Sequence, residues 1–204
     1  MPKNTTICGL ILVAGLSSRM GDFKPLLPLC GKTLIENTVD SMLRGGAEKI
    51  VVVTGYRGNE VEEILRNGYA EQVIFARNPD YETTDMMHSI QIGCRAMPKC
   101  DAFFLLPGDM PAVRQDTFMR MENAYSGEQS IIFPTLDGWR KHPPLIDARF
   151  IPAICSFCEE GGLRQFWKYH KDSIREVPVD DIGVWVDLDT PKDYQSCKNQ
   201  YEKL

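Results

Sequence analysis

The sequence predicts a three-layer α/β fold, in which helices cover both faces of a doubly wound, mostly parallel sheet. Short apolar segments alternate with helical patterns along most of the 204 residues. Three of these segments are almost continuous in Ile, Leu, Val and Phe, which is typical of parallel strands buried on both faces. No linker, low-complexity tract or internal repeat interrupts the alternation, so we expect a single domain over residues 1–204.

The strands are predicted from runs of β-branched, aliphatic and aromatic residues. The three most apolar runs are Ile7–Val13, Lys49–Thr54 and Ala102–Pro107. Shorter or more polar runs predict strands at Gln72–Ala76, Ser130–Pro134 and Ile174–Val177. Because helical patterns separate most successive strands, we expect right-handed crossover connections, which produce a parallel sheet.

The helices are predicted from apolar residues that recur every three or four positions. One such stripe consists of Met87, Ile90, Cys94 and Met97. Thr33 followed by Glu36 is typical of a capping box at the start of the first helix. Further helical patterns lie near Arg149–Phe157 and Leu163–His170, and we expect the final helix to begin at Pro191.

The composition excludes several classes of protein. Hydrophobic residues make up 43% and charged residues 25%, as in ordinary globular proteins. The net charge of −5 disfavours bulk attraction to nucleic acid or to an anionic membrane, so we expect neither partner. The seven cysteines lack the spacing of a disulfide framework, which favours reduced thiols and a cytoplasmic location. Cys155 and Cys158 have no second pair that would complete a zinc site.

The segment after the first strand is the strongest candidate for an anion-binding site. It runs from Ala14 to Lys24, and its small residues would let backbone N–H groups approach a phosphate. Between residues 14 and 32, Arg19, Lys24 and Lys32 against Asp22 give a local charge of +2. Ligands of open α/β sheets bind beyond the carboxyl ends of the strands. We therefore expect a phosphate ligand here, and the alternative is a basic surface turn.

This loop resembles the signature of the MobA-like nucleotidyltransferases, most closely the molybdenum cofactor cytidylyltransferase branch, through Leu12-Val13-Ala14-Gly15-Leu16-Ser17-Ser18-Arg19-Met20-Gly21 and Lys24-Pro25-Leu26-Leu27. The resemblance implies a Rossmann-like nucleotide-diphospho-sugar transferase fold. It also implies that the loop wraps a nucleoside triphosphate, with the nucleotide-binding residues Ala14, Gly15, Ser17, Ser18, Arg19 and Lys24. Arg19 and Lys24 would contact phosphate oxygens. The Val13-Ala14-Gly15 start implies a cytidine rather than a guanosine nucleotide.

Two carboxylates are candidate Mg²⁺ ligands. Asp109 follows the Ala102–Pro107 strand and resembles the Asp of the family's G-D-x-P motif, although a turn or N-cap aspartate is the alternative. Asp187 belongs to a segment that resembles the family's D-I-D-T-P-E-D block, in which we expect Asp189 to cap the last helix. Mg²⁺ usually binds one or two carboxylates together with substrate phosphates, and Asp109 with Asp187 meets that requirement.

A further segment resembles the family's N-P…G-M-x-x-S-I-x-x-G pattern. It begins at Asn78 and contains Ser89, and Asp85 stands where Gly is usual. The resemblance implies contacts of Asn78 and Ser89 with the base or ribose of the nucleotide. For Ser89, the alternative is a hydroxyl that satisfies backbone donors at a helix N-terminus.

The acceptor substrate is expected to bind through residues of the C-terminal part. His142-Pro143-Pro144 resembles the family's G-H-P stretch, with Lys141 in place of the Gly. Gly161-Gly162-Leu163-Arg164 is similar to the family's G-D-x-G-A-R segment but lacks its Asp. These similarities imply acceptor contacts by His142 and Arg164. A structural histidine and a surface salt bridge are the respective alternatives.

The resemblance therefore implies a Mg²⁺-dependent enzyme that transfers CMP from CTP to molybdopterin and releases pyrophosphate. Its catalytic residues would be Arg19, Lys24 and Asp109, and its protein partner a transiently bound molybdenum hydroxylase. One alternative is a sister enzyme that uses GTP or a sugar or alcohol phosphate. Another is a non-catalytic carrier that delivers the molybdenum cofactor during hydroxylase maturation.

Overall fold

The computed structural model describes residues 5–15, 22–185, 194–195 and 198. Its strands, in chain order, are β1 (Ile7–Val13), β2 (Pro28–Leu29), β3 (Lys32–Thr33), β4 (Lys49–Thr54), β5 (Val73–Arg77), β6 (Ala102–Pro107), β7 (Ile131–Leu136), β8 (Trp139–Arg140), β9 (Leu145–Asp147) and β10 (Ile174–Pro178). The six predicted strands are all present, with ends that shift by no more than two residues.

The helices are α1 (Leu34–Arg44), α2 (Gly58–Tyr69), α3 (Met86–Arg95), α4 (Gln115–Ala124), α5 (Ile151–Ser156) and α6 (Gly162–Tyr169). The predicted capping box at α1 is confirmed, because Glu36 accepts from the backbone of Thr33 and donates its own N–H to the Thr33 hydroxyl. Pro191, where we expect the final helix to begin, lies outside the described residues.

The central sheet has the strand order β10-β7-β9-β6-β1-β4-β5, and β8 pairs with β7. Strand β1 is parallel to both neighbours, β4 and β6. The chain moves outward from β1 through β4 to β5 and then returns to the opposite side of β1 with β6. The prediction of a doubly wound, mostly parallel sheet is thus confirmed. The order reverses between β1 and β6, and ligands bind at such a switch point.

The sequence patterns did not predict two strands of this sheet, β8 and β9, and β9 is the one that lies inside the strand order. It has only three residues, all buried, and it runs antiparallel between β6 and β7. Three residues are too few to display a period of two, and Pro143 and Pro144 precede them directly. As a result, His142 lies at the carboxyl-end edge of the sheet just before β9 begins, whereas the other predicted site residues at this edge follow the end of a strand.

Two apolar cores, one on each face of the sheet, confirm the three predicted layers. Helices α1, α2 and α4 cover one face, where Ile11 and Phe104 are fully buried. Helices α3, α5 and α6 cover the other face, where Leu10 and Phe103 are fully buried. Successive residues of β1 and β6 therefore point to opposite layers, as expected for central strands.

The cysteines that the structure describes are all free thiols, including Cys155 and Cys158, and Cys197 lies outside the described residues. Burial raises the pKa of the Cys94 thiol to about 12, so this thiol belongs to the core and is not a reactive group. Within the described ranges, none of the helices combines the length and the apolar character that crossing a bilayer requires.

Candidate nucleotide-binding site

The loop after β1 begins at the switch point of the sheet. Ala14 is buried directly beyond the strand, and Gly15 is exposed. Gly55, after β4, packs against this turn so closely that a Cβ there would lie 2.7 Å from the Ala14 carbonyl oxygen. The predicted phosphate contacts Ser17, Ser18 and Arg19 lie outside the described residues.

Lys24 and Asp109 form an ion pair at this edge of the sheet. The Lys24 Nζ atom lies 3.2 Å from Asp109 Oδ2, and the lysine is buried. A buried ammonium is expensive unless a carboxylate faces it. The structure therefore brings together two of the three predicted catalytic residues, one from the loop after β1 and the other from the turn after β6.

Backbone contacts fix the position of Asp109. The Gly108 N–H donates to the Leu12 carbonyl over 3.0 Å, and the buried Thr38 hydroxyl donates to the Gly108 carbonyl at 3.1 Å. Asp109 does not cap α4, whose N-cap residue is Arg114. The N-cap alternative considered for Asp109 is therefore wrong, and its carboxylate faces Lys24 instead.

Two adjoining pockets open at the switch point and share Leu12 and Gly15. The smaller one, about 90 Å³, contains Lys24 and Asp109. The larger one, about 240 Å³, is lined by residues of β1 and β6 and by the segment that leads into α3: Leu12, Ala14, Gly15, Tyr81, Thr84, Asp85, Met86, Ser89 and Pro107. A pocket that contains an ion pair thus lies beside a more apolar one, a combination that suits a phosphorylated ligand with an aromatic part.

Asn78 supports the wall of the larger pocket through hydrogen bonds to two residues that line it. Its side-chain amide is buried and donates to the Thr84 and Ser89 hydroxyls over 3.0 Å and 3.1 Å. Its Oδ1 atom accepts the backbone N–H of Asp80. The Ser89 oxygen therefore accepts from a side chain, which differs from the alternative in which it satisfies backbone donors. Ser89 lines the pocket, whereas Asn78 supports it.

Asp85 is the N-cap residue of α3, and its Oδ1 accepts the His88 N–H at 3.1 Å. Its φ of −89° is open to any residue, so the backbone here does not need the glycine that the family pattern carries. The other oxygen, Oδ2, lies beside Gly162 at the start of α6, where a Cβ would come within 2.5 Å of it.

His142 is half-buried and lies within electrostatic range of Asp109. Its Nδ1 is 3.4 Å from the carbonyl oxygen of Leu105, which favours a proton on Nδ1 because a carbonyl can only accept. Burial lowers the pKa of His142 below its ordinary value, and this effect outweighs the Leu105 hydrogen bond and the negative charge of Asp109. The imidazole is therefore mainly neutral at pH 7, with Nε2 as an acceptor.

Arg164 lies in the first turn of α6, and its side chain is exposed. The helix starts beside Asp85, so Arg164 belongs to the same side of the molecule as the larger pocket. The structure gives Arg164 no ion pair with any described residue, so the surface salt bridge considered for it is not observed there.

The sequence patterns did not single out Thr38 or Gly55, although both hold the loops of this site. Thr38 lies in the apolar stripe of α1, and Gly55 carries no signal beyond a turn after a strand. The predicted metal ligand Asp187 lies outside the described residues. Within the described ranges, no group of three or more His, Cys, Asp or Glu side chains could hold a metal ion by itself.

The chain is similar to known proteins over nearly its whole length. It is 28% identical to the molybdenum cofactor cytidylyltransferase of Escherichia coli (strain K12), over 96% of this chain and 97% of that protein. It is 27% identical to the nicotine blue oxidoreductase of Paenarthrobacter nicotinovorans, over 90% of this chain and 92% of that protein.

A solved structure, a nucleotidyl transferase from Methanothermobacter thermautotroptrophicus, shares the fold with a TM-score of 0.82 and 26% identity, covering 98% of this chain and 99% of that one. The family model of the MobA-like NTP transferase domain matches residues 9–174, which include the loop after β1, Lys24 and Asp109. The chain therefore belongs to the MobA-like NTP transferase family and is a nucleotidyltransferase.

Proposed function

We propose that this nucleotidyltransferase transfers CMP from CTP to molybdopterin in the cytoplasm, with Mg²⁺ as its cofactor and pyrophosphate as the leaving group. The observation that carries the proposal is the Lys24–Asp109 pair at the switch point between β1 and β6. The similarity to the Escherichia coli molybdenum cofactor cytidylyltransferase supports the choice of nucleotide and acceptor.

The donor set at the switch point fits Mg²⁺ only as a site shared with the nucleotide. Asp109 offers hard carboxylate oxygens, of which Oδ2 faces Lys24. Mg²⁺ commonly binds one or two carboxylates and completes its shell with water and substrate phosphates. Asp109 and Asp187 would hold the ion. When bound, Mg²⁺ would neutralise part of the negative charge of the triphosphate.

The reaction requires little covalent participation by the protein. A phosphate oxygen of the acceptor attacks the α-phosphorus of CTP, a new P–O bond forms, and the bond to the β-phosphate bridging oxygen breaks. The attacking phosphate is already ionised at neutral pH, so no general base is needed. Lys24 and Arg19 would hold phosphate oxygens and stabilise the negative charge that pyrophosphate carries away.

The larger pocket would hold the cytosine and ribose. Ala14, Gly15, Ser17 and Ser18 would approach the phosphates, and Ser89 would contact the base or ribose. Since the Ser89 oxygen accepts from Asn78, its own proton is available for donation into the pocket.

The acceptor would bind beside Asp109, near His142 and the exposed Arg164. A neutral imidazole can accept a hydrogen bond from the acceptor, and Arg164 can bind its phosphate. We also propose a transient contact with a molybdenum hydroxylase, to which the finished cofactor would pass.

The test is pyrophosphate release from CTP, GTP and UTP in the presence of Mg²⁺ and molybdopterin. The wild-type chain should turn over CTP preferentially. Asp109→Asn should lower the rate by about 10²–10³-fold, the usual effect of losing one preorganised charge contact. Asp172→Asn is the matched control, because it removes the same charge from an exposed position on the molecule.

Equal rates for the wild type and Asp109→Asn would contradict the proposed site. Turnover only with GTP, or with a sugar or alcohol phosphate as acceptor, would assign one of the sister activities. Binding of molybdopterin without any pyrophosphate release would assign the carrier role.

A further inference from the structure

Among the described residues that line the larger pocket, Asp85 supplies the one carboxylate. Asp85 stands where the family pattern has Gly, while the segment at Gly161 and Gly162 lacks the Asp of that pattern. In the structure, the Asp85 carboxylate lies directly beside Gly162. An acidic group therefore lies between the start of α3 and the start of α6, and it lines the pocket.

The two oxygens of Asp85 have different surroundings. Oδ1 accepts the His88 N–H and so completes the cap of α3. Oδ2 has no hydrogen-bond donor among the described residues. Negative charge is favoured at this position, since Asp85 caps one helix and lies beside the N-terminus of another. One oxygen of this pocket-lining carboxylate is thus not used by a hydrogen bond to the described residues.

Ser89 supplies the opposite polarity on the same pocket. Its oxygen accepts from Asn78 Nδ2 at 3.1 Å, which leaves the hydroxyl proton for a ligand. The pocket therefore offers a donor from Ser89 and an acceptor from Asp85, and its walls include Leu12, Tyr81 and Pro107.

We propose that Asp85 selects a base with an exocyclic amino group, so that the pocket accepts cytosine and rejects uracil. The inference rests on the proposed function, because it concerns the same nucleotide site. Cytosine has an N4 amino donor, which carboxylates accept, and an O2 acceptor that suits the Ser89 hydroxyl. Uracil has a carbonyl oxygen in place of N4, and its lone pairs would face the carboxylate.

The Asp85→Asn variant tests this proposal while keeping the helix cap. Asn is as good an N-cap residue as Asp, and its Oδ1 can still accept the His88 N–H. With Oδ1 used in that way, the Nδ2 donor replaces the Oδ2 acceptor. A hydrogen-bond donor then stands where the wild type has an acceptor, and the shape of the side chain hardly changes.

The measurement is the Kd of CTP and of UTP, each with Mg²⁺, by isothermal titration calorimetry on the full chain. The wild type should bind CTP about 10-fold or more tightly than UTP. Asp85→Asn should bring the ratio close to one or reverse it. Glu82→Gln is the control, because it removes a charge from the same exposed segment but not from the pocket, and its ratio should equal that of the wild type.

A wild type that binds CTP and UTP equally, or an Asp85→Asn variant that keeps the wild-type ratio, would overturn the inference. The proposed function would still be judged separately, by whether pyrophosphate is released in the presence of molybdopterin. A wild type that binds neither nucleotide would overturn both. Lower melting temperature in Asp85→Asn with an unchanged ratio would assign Asp85 to helix capping alone.

Discussion

Lys24 and His142 are both basic side chains close to Asp109, but burial affects them differently. Lys24 keeps a carboxylate within 3.2 Å, which compensates for its removal from water. His142 has only a 3.4 Å hydrogen bond to a carbonyl oxygen, and its lowered pKa shows that burial outweighs the attraction of Asp109. Of these two side chains, Lys24 therefore carries the positive charge at pH 7, and His142 acts as a polar neutral group.

The lowered pKa of His142 predicts a stability that falls with acidity. The unfolded chain protonates this imidazole near pH 6.5, whereas the folded chain does so only at lower pH. Its contribution is therefore complete above pH 6.5 and is lost as the pH falls towards the folded pKa. The free energy of unfolding, measured by urea titration from pH 7.5 to 5.5, should fall less steeply in His142→Gln than in the wild type.

The difference between the two slopes is limited to about 1.4 kcal/mol per pH unit for one imidazole. A variant that is less stable at every pH but has the wild-type slope would contradict this account, because its loss would come from packing and not from protonation.

The turns after β1 and β4 form one unit, held together by the small size of Gly55. A Cβ at position 55 would lie 2.7 Å from the Ala14 oxygen and 2.8 Å from the Tyr81 Cβ. Both neighbours belong to the walls of the larger pocket. Any side chain at position 55 must therefore displace the start of the loop proposed to bind phosphate.

Gly55→Ala should weaken nucleotide binding because it shifts Ala14 and the pocket wall. We expect the KM for CTP to rise about 10-fold or more, and the loss should be accompanied by a lower melting temperature. Gly68→Ala is the control, because Gly68 is an exposed residue of α2 with no atoms near the added Cβ. It should leave KM unchanged and stabilise the helix by about 0.5–1 kcal/mol.

A Gly55→Ala variant with wild-type KM and melting temperature would show that the two turns can move apart with no loss of nucleotide binding or stability. The contact would then have no part in shaping the nucleotide site.

The helices and strands that can be predicted are those whose own residues form a recognisable pattern. Strand β1 is a continuous apolar run, and the α1 cap depends on Thr33 and Glu36 alone, so both were predicted from sequence. Strand β9 depends on its position between β6 and β7, which no three-residue pattern encodes. Short elements fixed by tertiary contacts are therefore the part of the fold that sequence reasoning misses.

In the candidate site, too, features that depend on local residues can be predicted, and features that depend on tertiary contacts cannot. The position of Asp109 at the carboxyl-end edge of the sheet could be predicted, because the buried strand directly before it identifies that edge. The partnership of Asn78 with Ser89 could not, since it joins residues 11 positions apart through a loop without regular structure. The contact of Asp85 with Gly162 needs α6 to be placed against α3, which only the packed fold provides.

The described part of the sheet is narrowest at β9. Strands β7 and β10 pair over five residues, but β7 is joined to the β6 side of the sheet through two residue pairs with β9. Few ladder hydrogen bonds must therefore break to release the β7–β10 edge, and regions of this kind open as cooperative units.

In native-state hydrogen exchange, the amides of β7 and β10 should therefore share one opening free energy, lower than that of β1 and β4. Exchange of all four strands at a single free energy would contradict this expectation. Since His142 leads into β9, each such opening would also loosen the acceptor side of the site while the phosphate side stays protected. Amides beside the proposed acceptor site would then exchange faster than amides beside the proposed nucleotide site.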